Sequence, residues 1–307
     1  MTTMETRQQP IPVAPRKRSK GLNRSPQETP ARAWNYAILI VTILLAAFPI
    51  YWTFVVASST EEETAKIPPS AIPRGNLREN FTTVFNADNV YFLKSLTNSL
   101  IVASVVTISV LFFCSLAGFA FAKLRFKGRD PLMVLLIGTL AVPTQIGIVA
   151  LYILMSKMPS WLGGNWNGTL KAVIAPNLVT AFGVFYMRQF ITEAVPDEIV
   201  EAARVDGAST LRIYANVIAP AIRPAMGILG LFTFAAIWND FQWPLITLSG
   251  TENPTVQVAL STLASGQFVM YTQVLAGAFL ATLPLLVIFF LAGKQIVAGI
   301  MEGAVKS

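Results

Sequence analysis

The chain of 307 residues contains no histidine and one cysteine. The first absence removes histidine-ligated metals, histidine-ligated haem and Ser-His-Asp hydrolysis. The second rules out an intrachain disulfide, and Cys114, inside an apolar run, reads as a small packing residue. No G-x-x-x-x-G-K-[ST] phosphate loop is present, so no cofactor or catalytic residue is expected in this chain, and energy for any work comes from a gradient or from a partner. Charge is scarce as well. Only 13% of residues are charged against 54% hydrophobic, and the mean hydropathy is +0.57, which sets the chain apart from soluble globular domains.

What is abundant is long apolar sequence. A helix needs about 20 apolar residues to cross a hydrocarbon core of about 30 Å. Six stretches meet or approach that length: 34–57, 96–122, 132–155, 172–191, 221–248 and 272–292. An all-α polytopic membrane protein of six transmembrane helices follows. Lys and Arg gather in cytoplasmic connections. With the N-terminus inside, only Lys66, Arg74, Arg78, Lys94, Lys157 and Lys171 lie outside, against seventeen inside, so both termini are expected to be cytoplasmic. The net charge of +7 mostly restates this topology, and the basic tail suits anionic membrane lipid rather than nucleic acid. Residues 1–33, rich in Pro, Arg, Lys, Ser and Gln without periodicity, are expected to be a disordered cytoplasmic tail. The apolar stretch after the tail is too long for the core of a cleavable signal peptide, so the first span is expected to stay in the membrane.

One polar insert interrupts the apolar pattern. Arg188, Glu193, Asp197, Glu198, Glu201, Arg204, Asp206 and Arg212 are crowded between two spans. In "AVPDEIVEAARVDG", Pro196 suits a first helical turn, Asp197 and Glu198 face the positive end of a helix dipole, and Gly207 supplies a left-handed stop. A second helix is expected at once, capped by Ser209 or Thr210, with Pro220 and Pro224 handing over to the next span. Helices of roughly ten residues are marginal in water, so something must hold this pair. Ile199, Val200, Ala203, Leu211, Ile213 and Tyr214 either pack on the protein's own spans or enter a groove on another protein. Sequence physics leaves both open.

The stretch "EAARVDGASTLRIYANVIAP" resembles the cytoplasmic EAA motif of permease subunits of bacterial ABC importers, with Glu201, Ala202, Ala203, Gly207 and Pro220 at the family spacing and apolar departures at Val217 and Ala219. "NSLIVASVVTISVLFFCSLAGFAFAKLRFKGR", "VPTQIGIVALYIL" and "WNDFQWPLI" are similar to the carbohydrate branch, the six-span subunit of the maltose-importer type, so that the likeness covers 34–303. The resemblance implies the type I permease fold, with a coupling-helix loop at 192–219. It implies that Glu201 bonds a basic or backbone group of an ATPase subunit, that Ala202 and Ala203 permit close approach, and that Gly207 sets the angle between the helices, with Asp206 and Pro220 also in the coupling set. It further implies a second homologous permease, two ATPase subunits that bind ATP and Mg, an extracytoplasmic solute-binding protein and a carbohydrate substrate moved by alternating access.

For the solute path, Asp240 stands out, because an ionisable group in a span is costly. One reading puts Asn239, Asp240 and Gln242 on a wet cavity with Trp238, Phe241 or Trp243 as flat faces for a sugar ring. The other is an interfacial aromatic belt. Gln145, beside the helix-interrupting Pro143, is a weaker candidate ligand, because polar glue between helices is the commoner role. The rival function is an ion-gradient-driven secondary transporter, for which Asp240 is the sole ionisable candidate and lacks an evident basic partner.

Overall fold

The computed structural model describes residues 32–265 and 269–305. Nearly all of the expected tail, 1–33, lies outside the described residues. The fold is all-helical. In chain order α1 is Ala33–Ala57, α2 Glu61–Thr64, α3 Leu77–Phe85, α4 Phe92–Lys123, α5 Arg129–Thr139, α6 Ile148–Ser156, α7 Leu170–Ile174 and α8 Ala181–Ala194. There follow α9 Asp197–Val205, α10 Thr210–Ile213, a π-helical turn Tyr214–Ile218, α11 Ala219–Ala221, α12 Arg223–Trp238, α13 Gln242–Leu248, α14 Val256–Ala264 and α15 Tyr271–Val305.

Among the described residues four segments are long and apolar enough to cross a membrane, namely Ala33–Ala57, Phe92–Lys123, Leu170–Ala194 and Tyr271–Leu291, and there are up to six if each of two bent helix pairs is one span. The pairs are Arg129–Thr139 with Thr144–Ser156, bent by 89°, and Thr210–Ala221 with Arg223–Trp238, bent by 77°. The expected span 132–155 is therefore not a single rod, and 221–248 is divided between α12 and α13. Proline has no N–H to give to the carbonyl four residues back, and its ring crowds that carbonyl. Pro143 faces Thr139 in this way, and α5 stops at Thr139. Pro244 faces Asp240, and the chain breaks at 239–241 before restarting as α13, where Pro244 lies in the first turn and its missing N–H costs nothing. Pro220 and Pro224 flank the second bend, and the turn just before them is π-helical, as happens where the ordinary ladder is interrupted.

The helix α4 serves two cores. On one side Val102, Val106, Val110 and Cys114 meet α8 and α12 residues such as Val184, Met187 and Leu229. On the other, Phe92 and Ala103 meet Phe234, Trp238, Ala259 and Ala276. The α4–α8 crossing is close because two glycines permit it. A Cβ on Gly118 would lie 2.7 Å from Met187 Cβ and 2.8 Å from Arg188 N, and one on Gly183 would lie 2.8 Å from Cys114 Sγ. Cys114 is thus the small buried packing residue that its apolar run suggests. In α1, the stretch Trp34–Phe48 is exposed throughout, as a span facing lipid or another chain should be.

Candidate functional site: the polar helix pair and the cavity at the helix breaks

The polar insert forms the expected helix pair, and the closing geometry of α9 is fully defined. The N–H of Gly207 donates to the Arg204 carbonyl at 3.0 Å and that of Ala208 to the Ala203 carbonyl at 3.0 Å, with Gly207 at φ +77°. This is a Schellman stop, which requires the left-handed residue that glycine supplies at no steric cost. Nothing lies within 4 Å of a Cβ built on Gly207, so backbone conformation alone demands glycine there. Ser209 then caps α10, its Oγ accepting from the N–H of Arg212 at 3.4 Å. Asp206 is exposed in the turn.

The two uses left open for the apolar residues of this loop are divided between two faces. Val200, Ile213 and Ile218 are buried, with Ala203, Ala208, Tyr214 and Val217 packed beside them against α4 and α8 residues. On the other face Ile199 is exposed, Val205 is 88% exposed and Leu211 is 73% exposed, with Ala202 and Glu201 also open to solvent. Glu201 borders a small polar hollow lined by Arg125, Arg129, Arg204 and Asp197. Pro220 lies in the first turn of the short α11, Ala219–Ala221.

The pair is tied to the end of α4. Lys123 Nζ lies 2.5 Å from Asp197 Oδ1, and Arg204 Nη2 donates to the Lys123 carbonyl at 3.3 Å. The Lys123 ammonium, with Arg125 and Arg204 behind it, holds the Asp197 carboxyl below the usual carboxylate range. The contact of Lys123 with α9 spans 74 residues of sequence and carries no local pattern.

A second feature lies where the two proline breaks meet. Thr144, Gly147, Ile148, Leu151, Pro176, Asn177, Asp240, Gln242 and Trp243 line a cavity of 580 Å³, within the range of about 300–1,000 Å³ typical of ligand sites. Asp240 borders this cavity just ahead of α13, whose first backbone N–H groups, those of Gln242 and Trp243, face its carboxyl. Trp243 forms a wall with its indole N–H held by the Ala172 carbonyl at 2.9 Å. Asn177 and Thr144 were not singled out by sequence, since "APNLVT" and "VPTQ" show only helix breaks.

The remaining expected residues fall elsewhere. Trp238 does not offer a face to solute: it is 2% exposed, stacks on Phe234, and donates its indole N–H to the Ala281 carbonyl at 3.1 Å. Asn239 is exposed but bonds back to the Ala235 carbonyl at 2.8 Å, and Gln145 is exposed outside the cavity lining. Between α13 and α15, Val256, Val258 and Ala259 of α14 are buried on the protein's own core, and the N–H of Val256 donates to Ser99 Oγ at 2.8 Å.

The family model described as "Binding-protein-dependent transport system inner membrane component" matches residues 114–298. The arabinooligosaccharides transport system permease protein AraQ of Bacillus subtilis (strain 168) is 30% identical over 287 residues, covering 93% of this chain and 99% of that protein. The lactose transport system permease protein LacG of Rhizobium radiobacter is 32% identical over 273 residues, covering 89% of this chain and 95% of LacG. Among solved structures, a chain of a bacterial ABC transporter involved in import of the acidic polysaccharide alginate shares the fold, with a TM-score of 0.72 at 21% identity over 86% of this chain and 95% of that one.

Proposed function

Because this chain belongs to the family of binding-protein-dependent transport system inner membrane components, we propose that its 192–219 loop is the handle by which separate ATPase subunits drive a sugar or related carbohydrate across the bacterial cytoplasmic membrane. The chain is a multi-pass permease of an ABC importer, a transport subunit working within a binding-protein-dependent complex. The ion-gradient reading of the sequence gives way to that membership.

Six spans with both termini cytoplasmic, a tail at 1–33 and a permease domain at 34–303 complete the proposed arrangement. A second homologous permease supplies the other half of the pathway, and two ATPase subunits bind ATP and Mg below. A solute-binding protein delivers cargo from outside. Carbohydrate cargo is supported by the relatives named for arabinooligosaccharides and lactose.

The observation that carries the proposal is the two-faced helix pair. One face is buried on this chain's own core, while Ile199, Ala202, Val205 and Leu211 stand open around a glycine turn. Short helices fixed from behind with an apolar outer ridge suit insertion in a groove of another protein. Glu201, Asp206 and Arg212 around that ridge favour a partner surface of mixed charge. When the ATPase pair closes on ATP, the handles are drawn together and the membrane core switches from inward-open to outward-open; hydrolysis resets it.

For the cargo, the proposed contact surface is the cavity at 144, 177, 240, 242 and 243, where polar ends meet one aromatic wall at a helix discontinuity, the usual place for a transporter site. Trp238 and Gln145 are left out of it. Co-purification of ATPase subunits tests the handle. Leu211→Asp and Val205→Asp alter only the exposed ridge and are expected to reduce captured ATPase by roughly tenfold or more while the chain still inserts. Unchanged capture would reject the ridge as the docking face.

A further inference from the structure

We propose that Lys123 is the residue through which the 192–219 loop moves α4, acting by its ion pair with Asp197; this rests on the reading of that loop as the coupling element. Ser115, Phe119 and Lys123 recur at intervals of four, so they form a single stripe on α4. Both arms of the helix pair grip this stripe. After the Gly207 turn, Tyr214 Oη meets Ser115 Oγ at 2.6 Å and its ring lies 5.8 Å from that of Phe119. Before the turn, Asp197 opens α9 and pairs with the Lys123 ammonium at 2.5 Å, while Arg204 near the end of α9 donates to the Lys123 carbonyl.

The asymmetry of exposure decides what the pair does. The Lys123 side chain is 4% exposed and that of Asp197 74%. Two exposed partners exchange each other for water at little cost, and such a link transmits nothing. A buried ammonium stripped of its partner is left uncompensated, so separating α9 from α4 is opposed and the two move together. A lysine closing a helix commonly serves to complement the helix dipole, but that role needs neither burial nor a partner 74 residues away. Lys123 is therefore a positioning residue: it touches no cargo and passes on the displacement of α9 to the span that holds both cores together.

The test uses the whole transporter reconstituted in proteoliposomes, with ATPase co-purification, ATP hydrolysis and solute uptake measured together. Lys123→Met and Asp197→Asn are expected to retain the ATPase subunits and to hydrolyse ATP, while uptake per ATP falls roughly tenfold or more. Lys123→Arg keeps the charge and is expected to stay within about twofold of the parent. The double variant is expected to be no worse than either single one, as for two ends of a single link. Asp197→Asn carries the test if Lys123→Met fails to insert, because Asp197 is exposed and its replacement buries nothing new. Unchanged uptake per ATP in the single variants would overturn the proposal. Loss of ATPase capture in parallel with uptake would also overturn it, since Lys123 would then hold the motor rather than pass on its movement. Failure of the parent chain itself to capture ATPase removes the coupling reading and this proposal with it.

Discussion

At the scale of single residues, Gly207 and Gly118 are constrained for different reasons. Gly207 sits at φ +77° with open space around it, so a replacement is judged by backbone alone. A left-handed residue with a side chain costs about 1–2 kcal/mol, less for Asn and more when β-branched. Gly207→Val is expected to deform the turn and Gly207→Asn to preserve it, readable as lost against retained ATPase capture. Gly118 is the reverse case, with ordinary backbone and no room. Gly118→Val is expected to wedge α4 from α8 and destabilise the chain by about 1–3 kcal/mol, measured as a lower melting temperature in detergent. Asp197 adds a prediction on pH. Its folded carboxyl is held below the usual range, so its contribution is present above the unfolded pKa and is lost only as pH falls through the lower folded value. Coupling through Lys123 is therefore expected to be flat from about pH 6 to 8, measured as uptake per ATP.

At the scale of elements, the prolines explain both what the sequence disclosed and what it concealed. Pro196, Ser209 and Gly207 carry local rules that act within four residues, so the start, cap and stop of the helix pair could be read directly. The third and fifth apolar stretches were legible as spans by length, yet Pro143 and Pro244 turn them into half-helices whose meeting creates the cavity. That meeting depends on contacts between residues such as Thr144, Asn177 and Asp240, far apart in the chain, and no periodicity reports it. Trp238 was misplaced for a related reason: aromatic character says nothing about which side of a broken helix faces the core, and its partner is Ala281 on α15. Pro244→Ala restores an N–H at the break and removes the ring clash, a local preference for helix of up to about 3 kcal/mol. It is expected to lengthen α12 into α13 and to reduce uptake by roughly tenfold or more with insertion unchanged. Asp240→Ala is expected to raise the apparent KM for the solute while ATPase capture is retained, which separates cargo contact from coupling.

At the scale of the whole molecule, the described residues leave much apolar surface uncovered. Ile38, Leu39, Leu44 and Leu45 of α1, Ile108 of α4 and Val134 and Leu135 of α5 are all exposed, as befits lipid or a second permease. The Ile199, Val205 and Leu211 ridge lies instead on a loop crowded with charge, outside the apolar spans. On the proposed reading energy enters at that ridge and cargo meets the helix breaks, with α4 and its Lys123 as the link. The most direct measurement is solute uptake into proteoliposomes holding the complete transporter, energised either by ATP or by an imposed ion gradient alone, for the parent chain, Gly207→Asn and Gly207→Val. Uptake driven only by ATP, kept by Asn and lost with Val, is the expected result. Uptake that runs on the ion gradient without ATP, or that survives Gly207→Val, would contradict it.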